Sequence, residues 1–227
     1  MRKIKNTVPL FNSIAKSATT ANANVNIDKW YATTSKYDSD IALMEQRIVL
    51  LIDEITPHDY EALFHKFMAC MRDDDKKPIN LWIHSPGGDV FATMAIYDLM
   101  RNYPVPINTV GAGCCASGAS VLLSAGVHRS IFEHSWVMMH QAFGQVEGDT
   151  KTVNSRAGFM VTLEKQFARI FSNHTGMSVK EVEELSNTEK WFTAKDALKY
   201  KLVDEVIKSG NVKNNGISNN TKNARRK

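Results

Sequence analysis

The sequence predicts an α/β fold whose strands pair mostly in parallel. Short apolar runs rich in β-branched residues alternate with stretches whose apolar residues recur at helical spacing, and this alternation continues over roughly 150 residues. The chain has 227 residues, which is long enough to bury one sizeable core. No internal repeat with a fixed period is visible. We therefore expect a single domain in which strands and helices follow each other in turn.

The first half of this domain is predicted to contain three strands and two helices. A buried strand at 47–52 precedes a Thr-Pro pair at 56–57, which marks a helix start because threonine can cap a helix and proline fits its first turn. The second strand, at 79–83, ends in a Pro-Gly-Gly turn at 86–88, and a helix follows. The third strand is expected at 107–110.

The second half begins with a run of small residues that turns apolar. The predicted elements are a helix at 119–125, strands at 130–132 and 136–139, a long helix at about 152–175 closed by Gly176, two helices that begin with capping patterns at Ser178 and Thr193, and a last strand at 203–207.

Composition divides the chain into three parts. Residues 1–40 are polar and predict a mobile N-terminal arm or propeptide, 41–208 form the folded domain, and 209–227 read as a disordered basic tail. The formal net charge is +4, but six basic residues and no acid lie between 208 and 227, and the remaining 22 basic and 24 acidic residues give −2. Because the positive charge is confined to a tail, no specific nucleic-acid partner is expected.

Neither a membrane nor an oxidising compartment is indicated. No apolar run approaches the roughly 18 residues of a membrane span, and the basic N-terminus is not followed by the apolar stretch of a signal peptide. The three cysteines, two of them adjacent, fit neither a disulfide framework nor the paired ligand spacing of a zinc site. We expect a cytoplasmic protein without a bound metal.

The residues that carry chemistry surround Ser117, which stands at a predicted helix start. Serine at such a position is ordinarily a helix cap, but here Gly118 follows and could offer its N–H to the oxygen of a bound carbonyl. The Pro-Gly-Gly turn that contains Gly88 exposes further N–H groups. His140 ends a strand-like run and could act as a general base, with His84 as its competitor. Serine, histidine and a glycine-built oxyanion hole are the parts of acyl-transfer chemistry.

A third group is needed to hold the imidazole in one tautomer. The candidate carboxylates are Glu189, Asp196 and Asp204, and their order in the sequence does not decide among them.

Seven segments together resemble the proteolytic subunit of the Clp protease family, over about 40–208, some three-quarters of the chain. They occur in family order: Ile83-His-Ser-Pro-Gly-Gly88, Met94-Ala-Ile-Tyr-Asp98, Ala116-Ser117 with Leu122-Leu123, Val137-Met-Met-His-Gln141, His174-Thr-Gly176, Phe192-Thr-Ala194 and Lys201-Leu-Val-Asp204. The resemblance implies a crotonase-like spiral of ββα units with a protruding handle helix at about 152–175.

Carried over by position, the resemblance implies a serine endopeptidase. Ser117 would be the nucleophile, His140 the general base, and Gly88 and Gly118 the oxyanion-hole donors. The family has aspartate as the third triad member, and the aligned residue here is Glu189. The charged pair that precedes that aspartate in the family is replaced here by the uncharged residues at 187–188.

The resemblance also implies partners. The subunits would form a homo-oligomeric heptameric ring, possibly stacked into a tetradecamer, and an AAA+ unfoldase would feed unfolded polypeptides into its chamber. No cofactor is implied for this chain, since the partner would hydrolyse the ATP. The glutamate and the missing charged pair favour one alternative, a catalytically weak or silent ring-forming subunit. An acyl-CoA enzyme on the related crotonase fold is a third possibility, which the Ala-Ser-Gly segment and the strand-end histidine disfavour.

Overall fold

One sheet organises the part of the chain that the computed structural model describes, residues 36–73 and 76–210. The predicted N-terminal arm lies mostly, and the basic tail almost entirely, outside these residues. The strands of the sheet are β1 (Ile48–Ile52), β2 (Ile79–Ser85), β3 (Ile107–Ala116), β4 (Arg129–Phe132), β5 (Trp136–Met139), β6 (Lys190–Thr193) and β7 (Glu205–Ile207). The helices are α1 (Lys36–Glu45), α2 (Pro57–Asp73), α3 (Val90–Asn102), α4 (Gly118–Ser124), α5 (Thr150–Thr175), α6 (Val179–Ser186) and α7 (Ala194–Lys199).

The strand pairing confirms the predicted α/β class. The strands β1, β2, β3, β4 and β7 lie side by side in that order and pair in parallel. Strand β5 adds to the far end of β3, also in parallel, and β6 pairs with β5 in the antiparallel sense. The sheet therefore branches at β3, whose first part pairs with β4 and whose last part pairs with β5.

The core lies between this sheet and the helices that cross over it. Alternate residues of β2 are buried, as the pleat of a strand requires, and they join one apolar cluster with Phe67 of α2 and Ile96 of α3. All seven residues of α4 are buried. Each fully buried aliphatic or aromatic side chain contributes about 1.5–3 kcal/mol. The start of α4 is thus held inside the buried core.

Three differences from the predicted elements have physical causes. Strand β3 continues to Ala116 instead of ending at 110, because its small residues extend between β2 and β5. Strand β6 and helix α1 were not predicted, since four residues give little periodic signal and α1 has no clear apolar face. The capping boxes at Ser178 and Thr193 and the left-handed glycine at Gly176 are present as predicted.

Helix α5 leaves the core along most of its length. It has 26 residues, about 39 Å at 1.5 Å per residue. No residue between 150 and 167 is buried, whereas Ala168, Ile170 and Phe171 are. Apolar side chains such as Phe159 and Val161 remain exposed on the outer part. The C-terminal third of α5 therefore anchors it, and the rest lies at the surface, where Phe159 stacks on Phe91 of α3.

Candidate active site

Ser117 occupies the sharp turn between β3 and α4. Its backbone has φ 53° and ψ −123°, a conformation that costs a non-glycine residue about 1–3 kcal/mol. The side chain makes no capping hydrogen bond, so the serine is not an ordinary helix cap. Its N–H donates to the carbonyl of Met138 at 2.9 Å, which ties the turn to β5. The strained backbone holds the hydroxyl out of the helix cap and toward the end of β5.

His140 lies within hydrogen-bond distance of that hydroxyl. Strand β5 pairs with the last residues of β3, Met138 opposite Ala116, and this register brings the residue after β5 beside the residue after β3. The distance from His140 Nε2 to Ser117 Oγ is 2.8 Å. When Nε2 accepts the hydroxyl proton, Nδ1 carries the ring N–H and needs an acceptor of its own.

His84, the competing histidine, has a different role. Its Nδ1 lies 2.9 Å from the carbonyl oxygen of Ala112 and 3.2 Å from the N–H of Cys114. These contacts span the irregularity in the β2–β3 pairing, where Gly113 has φ 67° and a Cβ on it would lie 2.7 Å from His84 Nδ1. His84 therefore supports the shape of β3 and does not contact the serine.

Glycine at three positions lets the chain crowd around the serine. A Cβ on Gly87 would lie 2.8 Å from Ser117 Cβ and 2.9 Å from Gly118 N, and a Cβ on Gly118 would lie 2.5 Å from Thr93 Oγ1. A Cβ on Gly88 would overlap the backbone of the segment between β1 and α2. Within the described residues, neither Gly88 N–H nor Gly118 N–H donates a hydrogen bond. Both are therefore available to an incoming acceptor.

The three candidate carboxylates have different surroundings. Asp204 receives two side-chain hydrogen bonds from Arg129, at 2.6 and 2.9 Å, and Asp196 caps α7 by accepting from Thr193. Burial acts to raise the pKa of Asp204, but the Arg129 guanidinium overrides it and the pKa is lowered. Glu189 is exposed and, within the described residues, has no hydrogen bond to His140. Two of the three are engaged elsewhere, and the third makes no hydrogen bond to the imidazole.

An open cleft with a free volume of about 50 Å³ runs from the serine toward α5. It is bounded by Gly88, Gly118 and His140 on one side, and by the apolar side chains Val121, Met139, Phe167 and Phe171 on the other. An apolar cleft beside a nucleophile and unpaired N–H groups is suited to a carbonyl compound with an adjacent apolar side chain.

Cys114 and Cys115 directly precede this turn but are unsuited to act as nucleophiles. Burial raises the pKa of Cys115 to about 12 and also raises the pKa of Cys114. The thiolate is the reactive form of cysteine, so both side chains are inert near neutral pH. The hydroxyl of Ser117 is therefore the candidate nucleophile at this turn.

Within residues 36–73 and 76–210, no three histidine, cysteine or acidic side chains come together as a metal site would require. None of the helices between residues 36 and 210 is long and apolar enough to cross a membrane.

Sequence reasoning missed three residues at this site. Gly87 was seen only as part of a turn, although it is the glycine that touches Ser117. Thr93 lies one helical turn into α3 and carried no signal. Phe143 contacts the imidazole of His140, with ring centroids 5.4 Å apart. The available signal for Phe143 was an aromatic residue in a loop that is mostly polar and contains two glycines.

The chain was compared with known proteins. The family model described as Clp protease matches residues 32–210. A protein of Thermobifida fusca named ATP-dependent Clp protease proteolytic subunit 2 is 36% identical over 167 residues, which cover 73% of this chain and 82% of that protein. The proteolytic subunit 1 of Salinibacter ruber is 34% identical over 178 residues, covering 78% and 76%. The fold, with its crotonase-like succession of strands and helices and its long α5, agrees with this match. The chain belongs to the Clp protease family.

Proposed function

We propose that this chain is a serine endopeptidase that hydrolyses unfolded polypeptides inside a ring-shaped chamber. The observation that carries the proposal is the 2.8 Å contact between Ser117 Oγ and His140 Nε2 at a strained turn. Such a backbone conformation persists only where the surrounding structure enforces it, and it clusters at functional sites. Membership in the Clp protease family supports the same activity.

The first step is attack of Ser117 on the carbonyl carbon of the scissile peptide bond. The new bond joins Oγ to that carbon, the hydroxyl proton passes to His140 Nε2, and the carbonyl oxygen becomes an oxyanion. The peptide C–N bond then breaks, and the leaving amine takes the proton from His140. Water then attacks the acyl carbon and gives a proton to the same imidazole, the bond from that carbon to Ser117 Oγ breaks, and Oγ takes the proton back as the carboxylic acid product leaves. Every proton transfer in this cycle uses one ring nitrogen of His140.

The N–H groups of Gly88 and Gly118 are the proposed oxyanion donors. Both flank Ser117 and make no other hydrogen bond within the described residues, and Gly118 N–H is at the N-terminus of a buried helix. Donors that are fixed before the reaction stabilise the developing negative charge without reorganisation. Loss of one such donor lowers kcat by about 10²–10³ in a well-studied serine protease.

Glu189 is the proposed orienting carboxylate. The antiparallel register pairs Met138 with Trp191 and Met139 with Lys190, so the next pair in that sequence is His140 with Glu189. Residues opposite each other in antiparallel strands have Cβ atoms about 4.5–5.5 Å apart. The exposed Glu189 side chain can therefore reach His140 Nδ1 by rotating about its own bonds, while Asp196 and Asp204 are held by other partners.

Assembly into heptameric rings, two of them stacked, is proposed from the outer part of α5. That part exposes apolar side chains, and none of its residues is buried. Exposed apolar surface of this kind marks a site of association. Native mass spectrometry is expected to give seven or fourteen copies, and a monomer at micromolar concentration would contradict the ring.

The setting and partners follow from the same proposal. An AAA+ unfoldase would supply unfolded chains and hydrolyse the ATP, and no cofactor is assigned to this chain. A cytoplasmic location is proposed because three cysteines, two of them adjacent, do not form a disulfide framework.

One observation favours the alternative of a catalytically weak or silent ring subunit. Glu189 makes no hydrogen bond to His140, and Asn187 accepts instead from Gln141 at 2.9 Å. The two functions are separated by hydrolysis of a fluorescein-labelled unfolded protein such as reduced casein. Release of labelled peptides that stops in a Ser117→Ala variant supports the peptidase. Equal, negligible release by both proteins supports the silent subunit.

A further inference from the structure

The aromatic ring of Phe143 is set against the imidazole of His140. The ring centroids are 5.4 Å apart and the planes are tilted by 43°. Both residues belong to the segment that follows β5, and His140 also contacts Ser117 Oγ through Nε2. The imidazole therefore has the serine hydroxyl and an aromatic ring as neighbours.

Burial does not explain the position of this ring. Phe143 is 85% exposed, the largest exposed fraction among the exposed apolar side chains of the described residues. It is also not among the residues that bound the cleft at Ser117, although its neighbour Ala142 is. The contact with His140 is thus the specific interaction of this side chain.

An aromatic ring at this distance distinguishes the two charge states of the imidazole. The face of a phenyl ring attracts a cation whose charge lies within about 6 Å of the ring centroid. The same ring attracts the neutral form of that group less strongly. His140 is neutral before the reaction and becomes an imidazolium when it takes the proton of Ser117. A contact that strengthens as this proton moves accelerates the chemical step and leaves ground-state binding unchanged.

We propose that Phe143 is a positioning residue for His140, whose ring stabilises the imidazolium formed during attack by Ser117. This inference rests on the proposed peptidase function. In a Ser-His-Asp triad a carboxylate stabilises the imidazolium, and here an aromatic side chain would contribute to that stabilisation. It is compatible with Glu189 as a further partner, because the ring contact and a hydrogen bond at Nδ1 use different parts of the imidazole.

The test measures the reaction of a fluorophosphonate probe with the full-length chain. In this reaction Ser117 Oγ bonds to phosphorus, the P–F bond breaks, fluoride leaves, and His140 takes the hydroxyl proton. Time courses over a series of probe concentrations give a limiting rate constant and a half-saturation concentration. The variants are Phe143→Leu, which keeps an apolar side chain without a π face, and Phe143→Tyr, which keeps the ring. Phe64→Leu removes an exposed ring on α2 as a matched control.

We expect Phe143→Leu to lower the limiting rate constant about two- to fivefold, the range for an exposed cation–π contact, with an unchanged half-saturation concentration. Phe143→Tyr and Phe64→Leu should react like the parent. Circular dichroism melting should show all four proteins folded, since Phe143 and Phe64 are exposed.

Three results would overturn the inference while leaving the peptidase intact. They are an unchanged limiting rate in Phe143→Leu, a change confined to the half-saturation concentration, or a Phe143→Tyr variant as slow as Phe143→Leu. The second of these would make Phe143 a substrate contact. Failure of the parent protein to react at Ser117 would overturn the proposed function together with the inference.

Discussion

Replacing Gly87 by alanine is expected to damage the site more than the fold. The new Cβ would lie 2.8 Å from both Ala116 O and Ser117 Cβ and 2.9 Å from Gly118 N, where ordinary contact begins at 3.4 Å. The neighbours must therefore move by about 0.6 Å, and two of the three atoms belong to the backbone. A displacement of this size exceeds the roughly 0.5 Å within which a catalytic constellation must be held. The hydroxyl and the Gly118 N–H are the groups that would shift.

The expected loss is about 10²-fold in kcat/KM, since a misplacement near 1 Å has an effect of that order. Gly87 has φ 94°, so the alanine also destabilises the fold by about 1–3 kcal/mol, which urea unfolding measures. The assay is hydrolysis of a fluorogenic peptide amide at a temperature where melting curves show both proteins folded. Gly210→Ala adds the same methyl group where nothing lies within 4 Å and serves as the control. Activity within threefold of the parent in a folded Gly87→Ala variant would refute the reasoning.

Three further predictions concern histidines and the third carboxylate. His140→Ala should reduce peptide hydrolysis by several orders of magnitude. His84→Ala removes contacts to β3 and should mainly lower the melting temperature. The reverse pattern would show that the wrong histidine was assigned as the base. Glu189→Gln should lower turnover because the amide can fix the wrong tautomer of His140, while Glu189→Asp should retain activity. Unchanged turnover in Glu189→Gln would show that Glu189 is not the third member of the triad. Burial, followed by Arg101 and Arg129, lowers the pKa of His174 to about 4. The unfolded chain, with histidine near 6.5, then binds more protons, so stability should fall as pH drops from about 6.5 toward 4. His174→Gln should flatten this dependence in urea unfolding at pH 7 and pH 5, and an equal drop in both proteins would contradict the assignment.

The elements with strong local signals were predictable from the sequence. Helix starts depend on residues within one turn of each other, so both partners of each interaction are close in the sequence. This holds for the Thr-Pro start of α2 and for the caps at Ser178 and Thr193. The parallel pairing followed from the alternation of strands and helices. Ser117 and His140 could be proposed as site residues because a serine among small residues and a histidine at a strand end are both visible in the local sequence.

The features that were not predictable depend on register. Strand β6 has four residues, and its pairing with β5, which ends with Met139 opposite Lys190, determines where the adjoining residues His140 and Glu189 lie. The positive φ of Ser117 arises because β3 extends to Ala116 and α4 begins at once, without the Gly-x-Ser-x-Gly pattern that usually announces such a turn. Whether Phe143 meets an imidazole or solvent is likewise decided by the path of a loop and has no period in the sequence.

The most direct test of the central claim is covalent labelling of Ser117. The full-length protein is treated with a fluorophosphonate probe, digested, and the modified residue is located by tandem mass spectrometry. The activation of Ser117 by His140 predicts one phosphonylated site, on the peptide that contains Ser117, with no labelling there in His140→Ala and no labelled peptide in Ser117→Ala. An unmodified Ser117 in the folded parent protein, or labelling that persists in His140→Ala at the parent rate, would contradict it.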